Sequence, residues 1–464
     1  MSEINEYFDG LKGASIAVLG MGVSNMPLIH MLLRAGLRVT VCDRSQREAV
    51  AEQAAQLESL GAKLRLGEEY LNKLHRFDVI FRTPGISPNT PELVKAVEKG
   101  AQLTSEMEVF LQLCPCKIIA VTGSDGKTTT TTIISEFLKE AGYNVYVGGN
   151  IGKPLLPDVG GMTEEDIAVL ELSSFQLMTM KQSPHVAVFT NLSPNHLDYH
   201  HTMEEYTKAK MNIYYHQRPE DRVIFNYDND ITRSMSKSAP GTVMLFSRRN
   251  RLEEGVYLRD DTIWLTNEMG SREVLPLSMI HVPGQHNVEN FMAAIAAVDG
   301  LVPDKCVRAV AERFCGVPHR MELVRELDGV RWYNDSIGSS PTRTMAGLSC
   351  FEQKVILIAG GYDKQIPFDE LGAAIADSVK ELILTGDTAQ KIAAAVEQAE
   401  GYCPGTPNIH FTDTLSQAVE LAHQLARAGD AVVLSPACAA FDRFKNFVER
   451  GEYFKSCVTQ LKGK

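Results

Sequence analysis

The sequence predicts an α/β protein of three domains, each an open, mostly parallel sheet flanked by helices. Three observations carry this. Short apolar strands alternate with segments of helical periodicity along the whole chain, the pattern of βαβ units rather than of hairpin-built sheets. Glycine-rich turns follow strands directly, where α/β folds place their ligands. The 464 residues also exceed what one ordinary core accommodates, so the alternation must be divided among several domains. The divisions fall near residue 107 and near Val317, giving domains 1–106, 107–316 and 317–464.

The first domain opens with "ASIAVLGMGVSNMPLIHMLLRAGLRVTVCDR". An apolar strand runs to Gly20, a turn follows, a helix comes next, and a second strand ends at Asp43 and Arg44. This Rossmann-like unit sets main-chain amides at a helix N-terminus, a favourable place for an anion. Gly20 and Gly22 fit the dinucleotide fingerprint, but Asn25 stands at its third glycine, so a nicotinamide cofactor is not expected. "DVIFRTPGISP" adds a strand with a Pro84-Gly85 turn at its end.

The second domain starts with the strand "KIIAVTG" and continues through "NVYVGGN", "IAVLELSS", "HVAVFTNLSPNH" and "DRVIFNYDND". Residues 241–282 are richer in strand and turn patterns, and "GQHNVENFMAAIAAV" begins a helix. In the third domain "LVRELDGVRWYND" reads as a hairpin across Asp328-Gly329. "KVILIAGG", "KELILTG" and "DAVVLSPA" are parallel strands alternating with helices such as "DTAQKIAAAVEQA", a second Rossmann-like pattern.

Composition narrows the function. Acidic residues outnumber basic ones 58 to 46, which disfavours a nucleic-acid surface built from clustered Lys and Arg. No apolar run reaches the length of about 18 residues that a membrane span needs, so no membrane insertion is expected. "MSEINEYFDG" lacks the basic and apolar regions of a signal peptide, and nine scattered cysteines suit a reducing compartment. A cytoplasmic monomer is expected. Cys114 and Cys116 have no second Cys or His pair at zinc spacing, so no metal is expected there.

The chemistry is announced by "GSDGKTT", residues 123–129. A phosphate-binding loop lets glycines bring amides onto phosphate oxygens, a lysine adds charge, and a hydroxyl reaches Mg²⁺. The usual pattern has four residues between its glycines; here only Ser124 and Asp125 separate Gly123 from Gly126. With a strand before it and a helix after it, the loop predicts a P-loop domain that binds a nucleoside triphosphate, and alone it says nothing about the acceptor. Glu171 and His196 follow strands of the same domain, and Lys210 lies in the helical "YTKAKMNIYYH". Taken alone, His196 reads equally as a loop histidine and Lys210 as part of a solvated helix face.

Taken together, the shortened loop, "LELSSFQL", "NLSPNHLD", "YTKAK" and "GQHNVEN" resemble, in order and spacing, the Mur ligase family, over essentially the whole chain. The tail "SPACAAFDRFKNFVERGEYF", with "GGYDKQIPFDEL" and "PHRMELVRELDGVRWYNDS", resembles the family's D-glutamate-adding branch. The resemblance implies that ATP phosphorylates the carboxylate of UDP-N-acetylmuramoyl-L-alanine and that D-glutamate then displaces phosphate. It implies that Gly123, Ser124, Asp125, Gly126, Lys127, Thr128 and Thr129 bind ATP, with Lys127 at the β- and γ-phosphates. Thr128 and Glu171 would hold one Mg²⁺, and His196 with a carbamylated Lys210 a second. Asn287 and Asn290 would face adenine, Asp335 the ribose, and Arg320 the nucleotide. The UDP substrate would meet Ser24, Asp43, Arg44, Gly85, Asn150 and His196; D-glutamate would meet Ser339, Lys364 and main chain near Phe447.

Two positions depart from the family pattern. Ile337 stands for a lysine in "DSIGSS", and Ala440 for a serine in "SPACAA". Another amino-acid-adding Mur ligase, a folylpolyglutamate synthase, or a nucleotide-binding relative without activity are the alternatives. The tail argues against the first two. The set Lys127, Glu171, His196 and Lys210 argues against the third.

Overall fold

The structure, a computed structural model, describes residues 3–463, apart from the side chain of Asp198. Met1, Ser2 and Lys464, at the outer ends of the expected domains 1–106 and 317–464, lie outside that range. The chain packs as two compact units, Met1–Leu277 with Glu289–Val310, and Ser278–Val288 with Ala311–Lys464.

The first unit carries two sheets. One is wholly parallel: β1 (Ser15–Leu19), β2 (Arg38–Asp43), β3 (Lys63–Leu66), β4 (Val79–Arg82) and β5 (Gln102–Thr104), in the order β3-β2-β1-β4-β5. The order reverses at β1, which leaves a crevice beyond the carboxyl ends of β1 and β4. The glycine turn after β1 leads into the helix Asn25–Arg34. Asn25, which replaces the third glycine of the fingerprint, is buried and donates from Nδ2 to the carbonyls of Leu19 at 2.8 Å and Gly20 at 3.2 Å. A glycine there would leave both strand-end carbonyls without this partner.

The other sheet has nine strands: β6 (Lys117–Thr122), β7 (Val145–Gly149), β8 (Ile167–Glu171), β9 (Val186–Phe189), β10 (Arg222–Asn226), β11 (Thr242–Ser247), β12 (Gly255–Arg259), β13 (Thr262–Asn267) and β14 (Gly270–Pro276). Their order is β14-β13-β12-β11-β10-β9-β6-β8-β7. Neighbours from β7 to β12 are parallel, and only β13 runs against its two partners. Runs such as "IIAV" in β6 and "VAVF" in β9 are buried, as expected for central parallel strands covered on both faces.

One apolar core runs through both sheets of this unit, from Val18 and Phe81 through Phe110 to Ala120 and Phe189. The helix Glu106–Leu113 joins them and buries Met107, Val109, Phe110, Leu111 and Leu113. Ser105 caps it, its Oγ accepting from the Glu108 amide at 3.2 Å.

The second unit holds β15 (Glu322–Leu327), β16 (Val330–Asn334), β17 (Val355–Ala359), β18 (Val379–Leu384), β19 (Asn408–Phe411) and β20 (Ala431–Leu434), ordered β15-β16-β20-β17-β18-β19. Only the β15–β16 pair is antiparallel. Its turn residues Asp328 and Gly329 both have positive φ, 52° and 72°, as a tight two-residue hairpin requires. Arg450, 4% exposed on the helix Phe447–Gln460, gathers the loops at the carboxyl ends of these strands. Its Nε donates to Ser336 Oγ at 3.0 Å, Nη1 to the Ala439 carbonyl at 3.1 Å, and Nη2 to the carbonyls of Ser336 at 2.9 Å and Cys438 at 3.0 Å.

Replacing Arg450 with Met would remove the donor to the Ser336 hydroxyl and to the carbonyls of Ser336 and Cys438, each at a cost of about 1–3 kcal/mol, whereas the Ala439 carbonyl keeps the Tyr362 amide at 3.0 Å. The expected loss is at least about 3 kcal/mol of stability in the second unit, read from the denaturant midpoint of unfolding. An unchanged midpoint would show that the loops are held by other contacts.

Candidate active site

The loop between β6 and the helix Lys127–Glu140 owes its shape to two glycines. Gly123 and Gly126 adopt φ of 148° and 78°, where a side chain is strained. Space is lacking too: a Cβ at Gly123 would lie 2.0 Å from Thr190 Oγ1, and one at Gly126 2.3 Å from Asn290 Oδ1. The loop is stitched to the segment after β9. The Ser124 amide donates to the Asn191 carbonyl at 3.0 Å, the Asp125 amide to Asn191 Oδ1 at 3.0 Å, and Ser124 Oγ to the Ser193 carbonyl at 2.9 Å. Lys127 folds over the loop, its Nζ donating to the carbonyls of Gly123 at 3.0 Å and Ser124 at 2.8 Å. Thr129 is buried one residue beyond Thr128 in the first turn of the helix.

Glu171 ends β8 and is 2% exposed. Thr128 Oγ1 donates to its Oε2 at 2.7 Å, and Asn150 Nδ2 to its Oε1 at 2.9 Å. The Asn150 amide also donates to the Glu171 carbonyl at 2.7 Å. Two polar side chains, one from the first turn of the helix Lys127–Glu140 and one from the turn after β7, therefore meet at one carboxylate beside the phosphate loop.

Lys210 is not on a solvated face. It is 1% exposed, and its Nζ donates to Thr122 Oγ1 at 3.1 Å and to the Gly123 carbonyl at 2.9 Å, with the Tyr206 ring centroid 5.0 Å away. Burial, then the positive charge of Lys127, push its pKa well below the ordinary lysine value; Glu171 and Asp125 oppose this. His196 is exposed, has φ of 54°, and packs edge-on to Phe175 with ring centroids 5.0 Å apart.

A cavity of about 180 Å³ lies between the two sheets of this unit, lined among others by Ser24, Asn25, Arg82, Glu106, Asn150 and Gln176. It brings the glycine turn of the first sheet and Asn150 of the second to one space. Asp43 supports that turn: its Oδ2 accepts from the Met21 amide and its Oδ1 from the Ser45 amide, both at 2.8 Å. Burial raises the Asp43 carboxyl, but these bonds outweigh it and hold the group below the ordinary value. Arg44 and Gly85 are exposed, at the ends of β2 and β4 outside the cavity lining.

The remaining candidates lie in the second unit, except Asn290, which belongs to the first. Asp335 is 4% exposed, accepts from Ser435 Oγ at 2.7 Å, and is pushed up to about 6 chiefly by burial. Asn287 is buried and donates to the Pro283 carbonyl at 2.6 Å, whereas its neighbour on the same helix, Asn290, accepts from Thr130 Oγ1 at 3.2 Å in the first unit. Arg320 is half-buried, Lys364 is exposed after β17, and Ser339 is half-buried after β16. Phe447 opens the last helix, its carbonyl accepting from Ser336 Oγ at 2.8 Å. Ile337 accepts from Arg343 Nη1 at 3.3 Å, and Ala440 is buried next to the carbonyl that Arg450 holds.

Comparison with known proteins accounts for this arrangement. Residues 14–105 match the MurD-like N-terminal domain of Mur ligases, 121–298 the Mur ligase middle domain, and 319–438 the glutamate ligase domain of Mur ligases. The chain belongs to the Mur ligase family. Among its Mur ligase relatives, a protein of Acetivibrio thermocellus named UDP-N-acetylmuramoylalanine–D-glutamate ligase is 50% identical over 99% of both chains. One of the same name from Clostridium novyi is 50% identical over 98% of this chain and 99% of its own. The fold is shared with solved Mur ligases. UDP-N-acetylmuramate–alanine ligase of Thermotoga maritima superposes with a TM-score of 0.57 at 18% identity, over 97% of this chain and 100% of its own. A diaminopimelate-adding Mur ligase gives 0.56 at 22%, over 82% and 92%.

Sequence reading missed Arg82, Glu106, Thr122 and Arg450. Their only signal was a charged or polar residue beside an apolar run, as in "DVIFR".

Gly126→Ala tests the loop geometry. Strain at positive φ of about 1–2 kcal/mol, added to the clash with Asn290, should weaken ADP binding at least about tenfold. Titration calorimetry measures this; unchanged affinity would mean the loop can shift without loss.

Proposed function

We propose that this chain is an ATP-dependent ligase that joins D-glutamate to UDP-N-acetylmuramoyl-L-alanine, a cytoplasmic step of peptidoglycan precursor synthesis, acting as a monomer. The observation that carries the reading is the convergence of Thr128, Asn150 and Glu171 beside the phosphate loop, in a chain half identical to ligases of that name along its whole length. No helix among the described residues is long and apolar enough to cross a membrane, which suits a soluble biosynthetic step.

The alanyl carboxylate attacks the γ-phosphorus of ATP, and ADP leaves. The amine of D-glutamate then attacks the acyl carbon, inorganic phosphate departs, and the nitrogen loses a proton. Phosphoryl transfer of this kind depends on positioning and on neutralising charge. The main-chain amides at the start of the helix Lys127–Glu140 and the Lys127 ammonium receive the phosphates, while Asn150 orients Glu171 and faces the cavity. Within the first unit Asn290 would receive the nucleoside part of ATP, and Ser24, Asp43, Arg44 and Gly85 the UDP part of the acceptor. Within the second unit Ser339, Lys364 and the main chain at Phe447 would receive D-glutamate.

The donor set fits magnesium. Thr128 and Glu171 offer hard oxygen ligands at the phosphate loop, and the described residues contain no cluster of three carboxylate, histidine or cysteine ligands, which suits a cation held largely by substrate phosphates. Thr128 and Glu171 would hold one ion, and His196 with Lys210 as its carbamate a second. Bound Mg²⁺ supplies neutralisation of charge on the transferred phosphoryl group.

Phosphate release with D-glutamate, L-alanine, L-lysine and diaminopimelate tests the assignment. Only D-glutamate should support turnover, and Lys127→Ala should reduce it roughly a hundredfold or more while UDP-substrate binding persists. Turnover with another amino acid instead, or near-normal rates in Lys127→Ala, would refute the reading.

The depressed pKa of buried Lys210 leaves more of its amine neutral near pH 7 and so able to take up CO₂. In ¹³C-bicarbonate the wild-type protein should show one carbamate resonance that Lys210→Ala lacks. That variant should be nearly inactive and partly restored by formate or acetate. Full activity without rescue would exclude an essential carbamate.

A further inference from the structure

Arg82, the last residue of β4, is a buried cation without a carboxylate of its own. It is 1% exposed. Nη1 donates to the carbonyls of Ile86 at 2.7 Å, Pro84 at 3.2 Å and Thr83 at 3.4 Å; Nη2 donates to the Phe175 carbonyl at 2.9 Å and Thr179 Oγ1 at 3.3 Å. Nε has no hydrogen-bond partner among the described residues. The nearest acid along this chain of contacts is Glu108, reached only through Thr179, whose Oγ1 donates to Glu108 Oε2 at 3.3 Å. Burial raises Glu108 to about 7, so it does not offer a full counter-charge near neutrality.

Such an arrangement is costly in the free protein, because an ion taken out of water needs a partner of opposite charge as well as hydrogen bonds. Arg82 is also the one basic residue lining the cavity between the two sheets; its one acidic residue, Glu106, is likewise raised to about 7 by burial. The same lining includes Ser24 and Asn25, at the N-terminus of the helix that follows the β1 glycine turn, where main-chain amides favour an anion. A buried, incompletely neutralised guanidinium and a helix N-terminus thus border one space.

We infer that Arg82 supplies the positive charge that draws the diphosphate of the UDP-linked substrate into this cavity. The inference rests on the proposed function for the identity of the substrate. Arg82 acts through its charge and through the Thr83–Ile86 turn that it holds, so it is a positioning residue for the acceptor and takes no part in the bond changes.

The test compares UDP with uridine, which differ by the diphosphate, on the full chain by titration calorimetry. In the wild type UDP should bind more tightly than uridine. Arg82→Gln, which keeps a donor but loses the charge, should lower the UDP-to-uridine affinity ratio by about tenfold or more. Arg82→Lys should retain most of that ratio, even if both ligands bind more weakly. ADP binding serves as the folding control, and if Arg82→Gln fails it, the Lys variant decides by keeping or losing the ratio. An unchanged ratio in the Gln variant, or an equal loss in a folded Lys variant, overturns the inference. Failure of the wild type to turn over the UDP substrate would instead overturn the proposed function, a separate result.

Discussion

The carboxylate of Glu171 is where the first unit is tied together. It sits at the end of a fully buried strand, and both its oxygens are taken, one by the Thr128 hydroxyl at 2.7 Å and the other by the Asn150 amide at 2.9 Å. Each partner reports on a different loop: Thr128 on the first turn of the phosphate-loop helix, Asn150 on the turn after β7. The parallel order of β9, β6, β8 and β7 delivers all these loops to one edge of the sheet, so the carboxylate fixes distances that the sheet alone only approximates. The constraint also explains the small residues around it. A Cβ on Gly149 would lie 2.2 Å from the Glu171 carbonyl, so only glycine lets the Asn150 turn approach.

Charge is distributed around this point with little solvent to soften it. Lys127 and Lys210 both donate to the Gly123 carbonyl, and burial, followed by the charge of Lys127, holds the Lys210 pKa well below the ordinary value. Its amine therefore gives up its proton more readily than that of a solvated lysine. Asp43 shows the opposite case, a carboxylate kept ionised by two main-chain donors so that the first glycine turn stays rigid.

Much of the fold was legible because central parallel strands are apolar throughout and end at glycine or acidic residues, as "KIIAVTG" and "AVLE" do. The strand "NIHF" was not, since β19 is short, lies at a sheet edge and is only partly buried, so no hydrophobic run marks it. Lys210 was misread when taken alone, yet the signal was present. Tyr206, Lys210, Ile213 and Tyr214 fall on one helical stripe, and all are buried. Asn25 and Arg82 were beyond sequence reasoning for a different reason. Apart from the Thr179 hydroxyl at Arg82, their partners are main-chain carbonyls, and a carbonyl leaves no trace in residue identity.

The continuous core of the first unit bears on how such proteins can be recombined. Residues such as Met107 and Phe110 belong to one apolar cluster with residues of both sheets. A chimera that exchanged the first hundred or so residues with those of a distant relative would therefore bring a foreign apolar surface against this helix. Shape mismatch there would cost packing before any question of specificity arose. Exchanges between family members should accordingly be tolerated better in the loops at the carboxyl ends of β1 and β4 than across the whole of the first sheet.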